Sequence, residues 1–328
     1  PRVRRQRQMC IRDSICNEYN KWLLILPFVG VLSSCSNGDE FFKEERYKKE
    51  IYVVSDASQV FQAEYEMTKS DEAMKTLAFA VSGTNPIDRD VNIVVEKDEE
   101  LLTEYNYNNY RDETDKYAHG LNEVDYILSS SSVTIKMGTE FKNQVGKLPI
   151  TLKTSVLENL SVDSIYFIPF RIKEASPYEI NEDKRNVLYR IYKKNQYASQ
   201  RKNTFYNSIG YIGSAFFTST KVVQPLSYNK IRVYVGGQVY STSDTKETIN
   251  KNAMIITVNE DNTVTMSPYS TEGGLKVTTL VPSDNPNDTS GSYGYRNVYN
   301  PDEQCFYLYY SYDIGNGEQI IREQMILE

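Results

Sequence analysis

Histidine is almost missing: the 328-residue chain has one, His119. A serine–histidine–acid triad or a histidine metal cluster therefore has at most one candidate. It lies in the polar stretch Lys116-Tyr117-Ala118-His119-Gly120, which reads as a solvated loop. Cysteine is scarce in the body. Cys10, Cys16 and Cys35 crowd the front and only Cys305 lies beyond, so the body has neither a disulfide framework nor a thiolate zinc site. No Gly-rich phosphate loop ending in Lys-Ser/Thr occurs, and Gly273-Gly274 reads as a turn. Positive charge is in deficit, with 37 basic against 44 acidic residues. The first 35 residues hold six of the basic groups and two of the acidic ones, so the remainder is more acidic still. Such a chain repels phosphate backbones, which argues against a nucleic-acid partner. Long hydrophobic runs are lacking too. Trp22 to Leu32 spans eleven residues, about 16 Å as a helix, roughly half of what a bilayer core requires.

That short run has a different meaning. Lys21 precedes it and Leu32-Ser33-Ser34-Cys35 follows, which looks like a lipobox at the end of a signal peptide. Cleavage before Cys35 is expected, with a diacylglycerol on its thiol and membrane lipid as the partner of the anchor. Acyl chains hold through about 0.8 kcal/mol per buried CH₂. The competing reading is a buried cysteine after an apolar helix. Ser36-Asn37-Gly38-Asp39-Glu40 partly resembles the acidic signal that sends Bacteroidetes lipoproteins to the cell exterior. The expected location is the outer membrane, lipid-anchored and facing outward. Residues 1–18 do not fit a signal peptide. The stretch Val3 to Ser14 resembles translated sequencing-adapter read-through, against the alternative of a basic nucleic-acid arm. The front is thus read as a non-native leader (1–18), a signal peptide (19–34) and a tether (35–46).

From Lys48 onward period-two alternation dominates. Phe61, Ala63, Tyr65 and Met67 alternate with Gln62, Glu64 and Glu66, as in a half-buried strand. Leu77–Val81, Val91–Val95, Val133–Met137, Ile150–Leu152, Ile165–Ile172 and Val187–Tyr192 read likewise. Pro169 donates no ladder bond, which predicts that its strand is an edge or carries a bulge. Glu99 to Tyr110 alone reads as helical. The expected fold is all-β. An N-terminal immunoglobulin-like β-sandwich covers 47–195, and a polar linker follows near Asn195–Asn203. A C-terminal antiparallel β-barrel or β-sandwich covers 204–328. In that second unit Ala215–Phe217, Ile231–Val235, Ala253–Val258 and Thr263–Met266 read as strands. Gly315-Asn316-Gly317 joins Cys305–Tyr312 to Gln319–Leu327 as a hairpin.

These patterns resemble a family. Asp98 through Tyr105-Asn106, Val133 to Gly138, Tyr166-Phe167-Ile168-Pro169-Phe170 and Asn186-Val187-Leu188-Tyr189 look like the N-terminal β-sandwich domain of Bacteroidetes surface lipoproteins of unknown function. The same domain precedes the catalytic modules of some endo-N-acetylglucosaminidases. Tyr299-Asn300-Pro301 and Cys305-Phe306-Tyr307-Leu308 resemble its C-terminal companion. The resemblance implies a role in glycan use beside a SusC/SusD-like importer. It carries over no catalytic residue and no cofactor, and no glycosidase module follows the pair here.

Chemistry has few footholds. Carboxylate pairs can hydrolyse glycosides, but in so acidic a chain some pair is always near another. Asp112-Glu113 and Asp98-Glu99-Glu100 read as solvated faces and a helix start. Asp284, Asn285, Asn287 and Asp288 suit calcium in type but not in EF-hand spacing, and read equally as a long turn. Tyrosine is more telling, at 27 residues. A sugar lays its apolar face on an aromatic ring while polar neighbours bond its hydroxyls, and Tyr suits such a wet surface. Tyr107 and Tyr110 form one loop cluster. Tyr293, Tyr295, Arg296, Asn297 and Tyr299 form another. Each is either a sugar platform or a filling of sheet faces and loop bases. The expected function is a non-catalytic surface lipoprotein that binds glycans for uptake. An adhesin or fimbria-like subunit built by strand exchange is the alternative.

Overall fold

The computed structural model describes residues 45–138, 144–287 and 289–328. The leader, the signal peptide, Cys35 and Asp288 lie outside the described residues. No helix among the described residues is long and apolar enough to cross a membrane.

The first domain contains β1 (Glu50–Val53), β2 (Val60–Glu66), β3 (Glu72–Val81), β4 (Val91–Lys97), β5 (His119–Gly120), β6 (Tyr126–Leu128), β7 (Ser132–Ile135), β8 (Val145–Lys153), β9 (Tyr166–Ser176), β10 (Glu179–Ile180) and β11 (Asn186–Lys194). They form two curled sheets, ordered β10-β1-β3-β8-β6 and β2-β11-β9-β4-β7, with β5 added along β9. Their facing sides share one core, in which Leu77, Phe79, Leu148 and Ile150 of one sheet meet Ile168, Phe170 and Tyr189 of the other. Tyrosines are used inside as well. The Tyr65 hydroxyl meets that of Tyr189 at 2.9 Å and the Ile150 carbonyl at 3.1 Å, so neither buried phenol is left unbonded.

Helix α1 (Glu99–Tyr110) forms where expected, capped by Asp98, whose carboxylate accepts from the Leu101 amide. It lies outside the second sheet, where Leu102 and Ala118 cover Phe167 and Leu188. Strands β9 and β11 are thereby buried on both faces, which explains their near-continuous apolar runs. Of the two readings of Pro169 the edge fails and the bulge holds: β9 is central, pairing with both β4 and β11, and its register with β4 shifts between Val94 and Val95, where Lys173 is the extra residue. The missing donor is harmless at Pro169. The β4 ladder ends at Lys97, opposite Phe170. Beyond it the chain turns into α1, and the Asp98 amide donates to the Pro169 carbonyl at 3.0 Å. The proline nitrogen points the same way and faces no ladder acceptor.

The second domain contains β12 (Thr204–Ile212), β13 (Ala215–Ser227), β14 (Lys230–Tyr234), β15 (Ala253–Val258), β16 (Val264–Pro268), β17 (Lys276–Thr279), β18 (Val298–Asn300), β19 (Cys305–Asp313) and β20 (Gln319–Leu327). Their order β16-β15-β14-β13-β12-β20-β19-β17, with β18 beside β19, makes a nearly closed antiparallel barrel. The seam beside β16 is sealed by single bonds. Met266 N donates to Thr279 Oγ1 at 2.8 Å and Val264 N to the Asn297 carbonyl at 2.7 Å. Glycine permits one tight contact in the wall. A Cβ on Gly210 of β12 would lie 2.1 Å from the Arg322 carbonyl of β20.

The barrel interior is apolar except at one place. Lys221 and Glu323 form an ion pair that is 1% and 0% exposed. Glu323 also accepts from Ser208 Oγ at 2.6 Å and from the Tyr310 hydroxyl at 2.9 Å. Lys221 Nζ donates to the Tyr234 carbonyl at 3.0 Å, and the Gly236 amide to the Tyr310 oxygen at 2.9 Å. Burial pushes the Lys221 amine below its usual pKa while the charge on Glu323 pulls it back up. Each member of the pair has further hydrogen-bond partners, which offset part of the cost of burying it.

Buried polar contacts also hold the two domains together. Arg232 of β14 is 1% exposed. Its guanidinium pairs through both terminal nitrogens with Asp163 of the first domain, and Nη1 lies 2.6 Å from Oδ2. Gln224 Oε1 accepts from its Nε at 2.8 Å, and its Cζ lies 4.7 Å from the Tyr269 ring centre. Asn195, at the end of β11, donates to the Ser227 and Lys230 carbonyls at 2.7 and 3.1 Å. Beside it Lys193 is 2% exposed and donates to the Leu160 carbonyl at 2.7 Å. Burial, with Arg232 nearby, brings this amine down to about 8.

The depressed amine sets the sign of a pH effect. Between about 8 and 10 the unfolded chain holds more protons at Lys193 than the folded one, so stability rises with pH, by at most ~3 kcal/mol. Above pH 10 the order reverses. Buried Tyr65, Tyr189 and Tyr206 resist ionising in the fold, by burial first, and the unfolded chain releases their protons earlier. Urea midpoints measured from pH 7 to 11 should climb and then fall. The Lys193→Met variant should climb less, keeping only the share that the buried Lys221 amine contributes, and should keep the fall, to which the buried Cys305 thiol adds.

Candidate functional site

The outer wall of the barrel carries an aromatic face. Strand register sets it out, because Tyr211 of β12 pairs with Phe216 of β13 and with Arg322 of β20. Arg322 in turn pairs with Tyr309 of β19. Paired residues point to one side of a sheet, so Phe216, Tyr211, Arg322 and Tyr309 form a row across four strands. At ~4.8 Å per strand the row is about 14 Å long. The neighbouring row is Thr218, Ile209, Gln324 and Tyr307. These side chains face away from the core. Phe216 is 61% exposed, Ile209 43% and Tyr211 39%.

The row is ordered by its own contacts. Tyr211 and Phe216 meet edge to face at 5.6 Å, and the Arg322 guanidinium stands 5.3 Å from the Tyr211 ring centre. Arg322 Nη1 donates to the Ser290 carbonyl at 2.9 Å, and Nη2 to the Gly213 carbonyl at the β12–β13 turn. The long loop between β17 and β18 thus folds back onto the face. Gly291, at φ +67°, lets it approach, since a Cβ there would lie 2.1 Å from Arg322 Nη1. Within that loop Ser292 is buried and its hydroxyl accepts from the Ser283 amide at 2.9 Å.

The predicted site residues fall into three groups. Tyr295 lies near the face. It is half-buried, its hydroxyl pKa is raised by burial, and it feels the Arg322 charge and Tyr211. Tyr293 (44% exposed) and Arg296 project from the same loop into solvent. Asn297 and Tyr299 are each 7% exposed and have structural work. Asn297, at φ 53°, accepts from the Tyr309 amide and donates to the Leu280 carbonyl, both at 2.7 Å. The Tyr299 ring packs 4.6 Å from Phe306 and 4.9 Å from Tyr197 in the barrel core. Tyr107 and Tyr110 lie on α1 of the other domain. Tyr107 is exposed beneath Arg111, and Tyr110 lies against Tyr105 and Tyr117 at 6.3 and 6.4 Å. The two tyrosine clusters therefore belong to separate surfaces.

Sequence reasoning missed Tyr211, Phe216, Tyr309 and Arg322 as one surface. Their signal was the run Tyr211-Ile212-Gly213-Ser214-Ala215-Phe216, a Gly-Ser turn flanked by aromatics. His119 is exposed on β5, with its ring 5.4 Å from Tyr166. No cluster of three or more His, Cys, Asp or Glu able to hold a metal occurs among the described residues. What the face offers is flat rings with phenol, amide and guanidinium groups at their edges. Such groups can stack on apolar faces and bond hydroxyls.

Comparison with known proteins places the chain. A family model of an N-terminal domain matches residues 47–179, and one of a C-terminal domain matches residues 185–327. No curated protein matches. Among solved structures, a protein of unknown function from Bacteroides ovatus aligns at 15% identity with a TM-score of 0.56, covering 86% of this chain and 95% of that one. A multidomain protein including DUF1735 from the same organism aligns at 14% identity with a TM-score of 0.54, covering 84% and 94%. An auxiliary nutrient binding protein from Bacteroides thetaiotaomicron aligns at 15% identity with a TM-score of 0.50, also covering 84% and 94%. At such identities the likeness is one of fold, and it runs through both domains. The chain belongs to the family of two-domain proteins in which this N-terminal β-sandwich domain is followed by this C-terminal domain.

Proposed function

We propose that this protein is a non-catalytic glycan-binding lipoprotein, held at the outer membrane through Cys35 and delivering carbohydrate to a SusC/SusD-like importer. The observation that carries the binding role is the exposed row Phe216–Tyr211–Arg322–Tyr309, with Tyr295 close enough to feel the Arg322 charge. Exposed aromatic rings in a contiguous patch are costly in water and mark an interaction surface. Phenol tips and a guanidinium at the ring edges suit hydroxyls better than an apolar partner. A fold relative is described as an auxiliary nutrient binding protein, which agrees in kind. The lipobox at Leu32–Cys35 supports the anchor and the location.

The test is direct. Purified protein should bind at least one polysaccharide in a broad screen of plant, microbial and host glycans. Tyr211→Ala and Tyr295→Ala should each weaken that binding about tenfold, since a partly covered ring is worth about 1.4 kcal/mol, the low end of the range for a fully buried side chain. Tyr107→Ala, on the other domain, should leave it unchanged. Unaltered binding in both barrel variants removes the face from the reading, and turnover of the bound glycan removes the non-catalytic part.

A further inference from the structure

The junction between the domains contains two clefts, of about 570 and 630 Å³. Each falls in the usual size range of small-ligand sites. They share Thr68, Lys69, Tyr228 and Glu260. What separates them is one ion pair. Lys69, just beyond β2 in the first domain, reaches Glu260 in the β15–β16 turn of the barrel, with Nζ 2.5 Å from Oε1. The pair lies in water, with side chains 65% and 84% exposed, so it contributes at most ~1 kcal/mol. It is a weak partition across one groove.

We propose that this groove is a second carbohydrate site, that it takes a neutral oligosaccharide, and that the incoming chain displaces the Lys69–Glu260 bridge. The ligand class follows from the walls. Glu66, Asp71, Glu72 and Glu158 line the two clefts, while Lys153 is the one lysine besides Lys69. Such walls repel uronic or sulfated sugars and supply acceptors for hydroxyl protons. Tyr228 gives the stacking surface. It is part-buried, packs on the first domain's core, and stands where the two clefts meet. Because Lys69 and Glu260 come from different domains, ligand entry exchanges a bond across the junction for contacts within the groove. This inference rests on the carbohydrate reading of the protein but not on the barrel face.

Calorimetric titration of the full chain with cellohexaose, xylohexaose, mannohexaose, maltohexaose and a galacturonate hexamer tests it. At least one neutral probe should bind, about tenfold weaker in Tyr228→Ala and unchanged in Tyr211→Ala. In Lys69→Met the same probe should bind up to about fivefold tighter, the bridge no longer needing to be broken. On the unaltered protein, hydroxyl-radical footprinting should show Tyr228 protected by that probe, a readout independent of how the variants fold. Loss of binding in Tyr211→Ala alone, with Tyr228 unprotected, overturns the groove and leaves the barrel face standing. Protection of Tyr228 by the galacturonate only overturns the neutral assignment. No binding of any probe at millimolar concentration overturns the groove and leaves the barrel face to the broad glycan screen.

Discussion

Replacing Lys221 by methionine should destabilise the barrel by about 3–5 kcal/mol, although no contact with solvent changes. The variant keeps the aliphatic stem and removes the charge. Glu323 then remains fully buried with no cation, supported only by the Ser208 and Tyr310 hydroxyls. Glu323→Leu should cost a similar amount for the mirror reason, a stranded ammonium facing the Tyr234 carbonyl. The double variant should be more stable than either single one, because a buried pair replaced by apolar side chains loses its desolvation cost along with its attraction. Urea unfolding of the four proteins closes the thermodynamic cycle. A double variant as unstable as the sum of the singles would show that the pair is not coupled.

The second large effect concerns the joint between the domains. Asp163→Ala should lower stability by about 3 kcal/mol, the low end for a broken buried pair, because Asp163 itself is 28% exposed. The loss comes from Arg232. Its guanidinium stays enclosed by Gln224, Tyr240 and Tyr269 with no carboxylate to balance it. More telling than the size is the shape of the transition. With the bidentate contact intact, the two domains should melt together in scanning calorimetry. Without it, the barrel and the sandwich should separate into two transitions. A single, merely shifted peak in Asp163→Ala would place the coupling elsewhere, in the bonds from Asn195 to the Ser227 and Lys230 carbonyls.

Much of the scaffold was legible in the sequence because its faces follow simple rules. Alternation from Phe61 to Met67 places Ala63, Tyr65 and Met67 inside. Asp98 announces the helix that follows it. Pro169 was half legible: its strand carries a bulge but is not an edge, because the neighbouring ladder has already ended where the proline lacks a donor. Strand β12 went unread for a more informative reason. It turns Phe205, Ile209 and Tyr211 outward and Ser208 and Gly210 inward, so its polarity is inverted relative to a barrel wall. Ser208 is inside to serve Glu323, and Tyr211 is outside to build the aromatic row. The pattern that hides a strand from sequence reading is the one that carries the candidate chemistry. Asn297 and Tyr299 failed in the opposite sense. A loop sequence gives no sign of which asparagine will bond backbone amides and which tyrosine will turn into a core. Arg322 could not be assigned at all without register, since its partners come from β12 and β19 and from a loop some thirty residues away.

The lone thiol among the described residues has a practical use. Cys305 is 1% exposed, and burial raises its pKa to about 11, so at neutral pH it is both shielded and protonated. A maleimide or disulfide reagent should ignore it while the wall is intact and modify it only when β19 parts from its neighbours. In a chain beginning at residue 45 this sulfur becomes a native clock, whose labelling rate counts how often the barrel breathes.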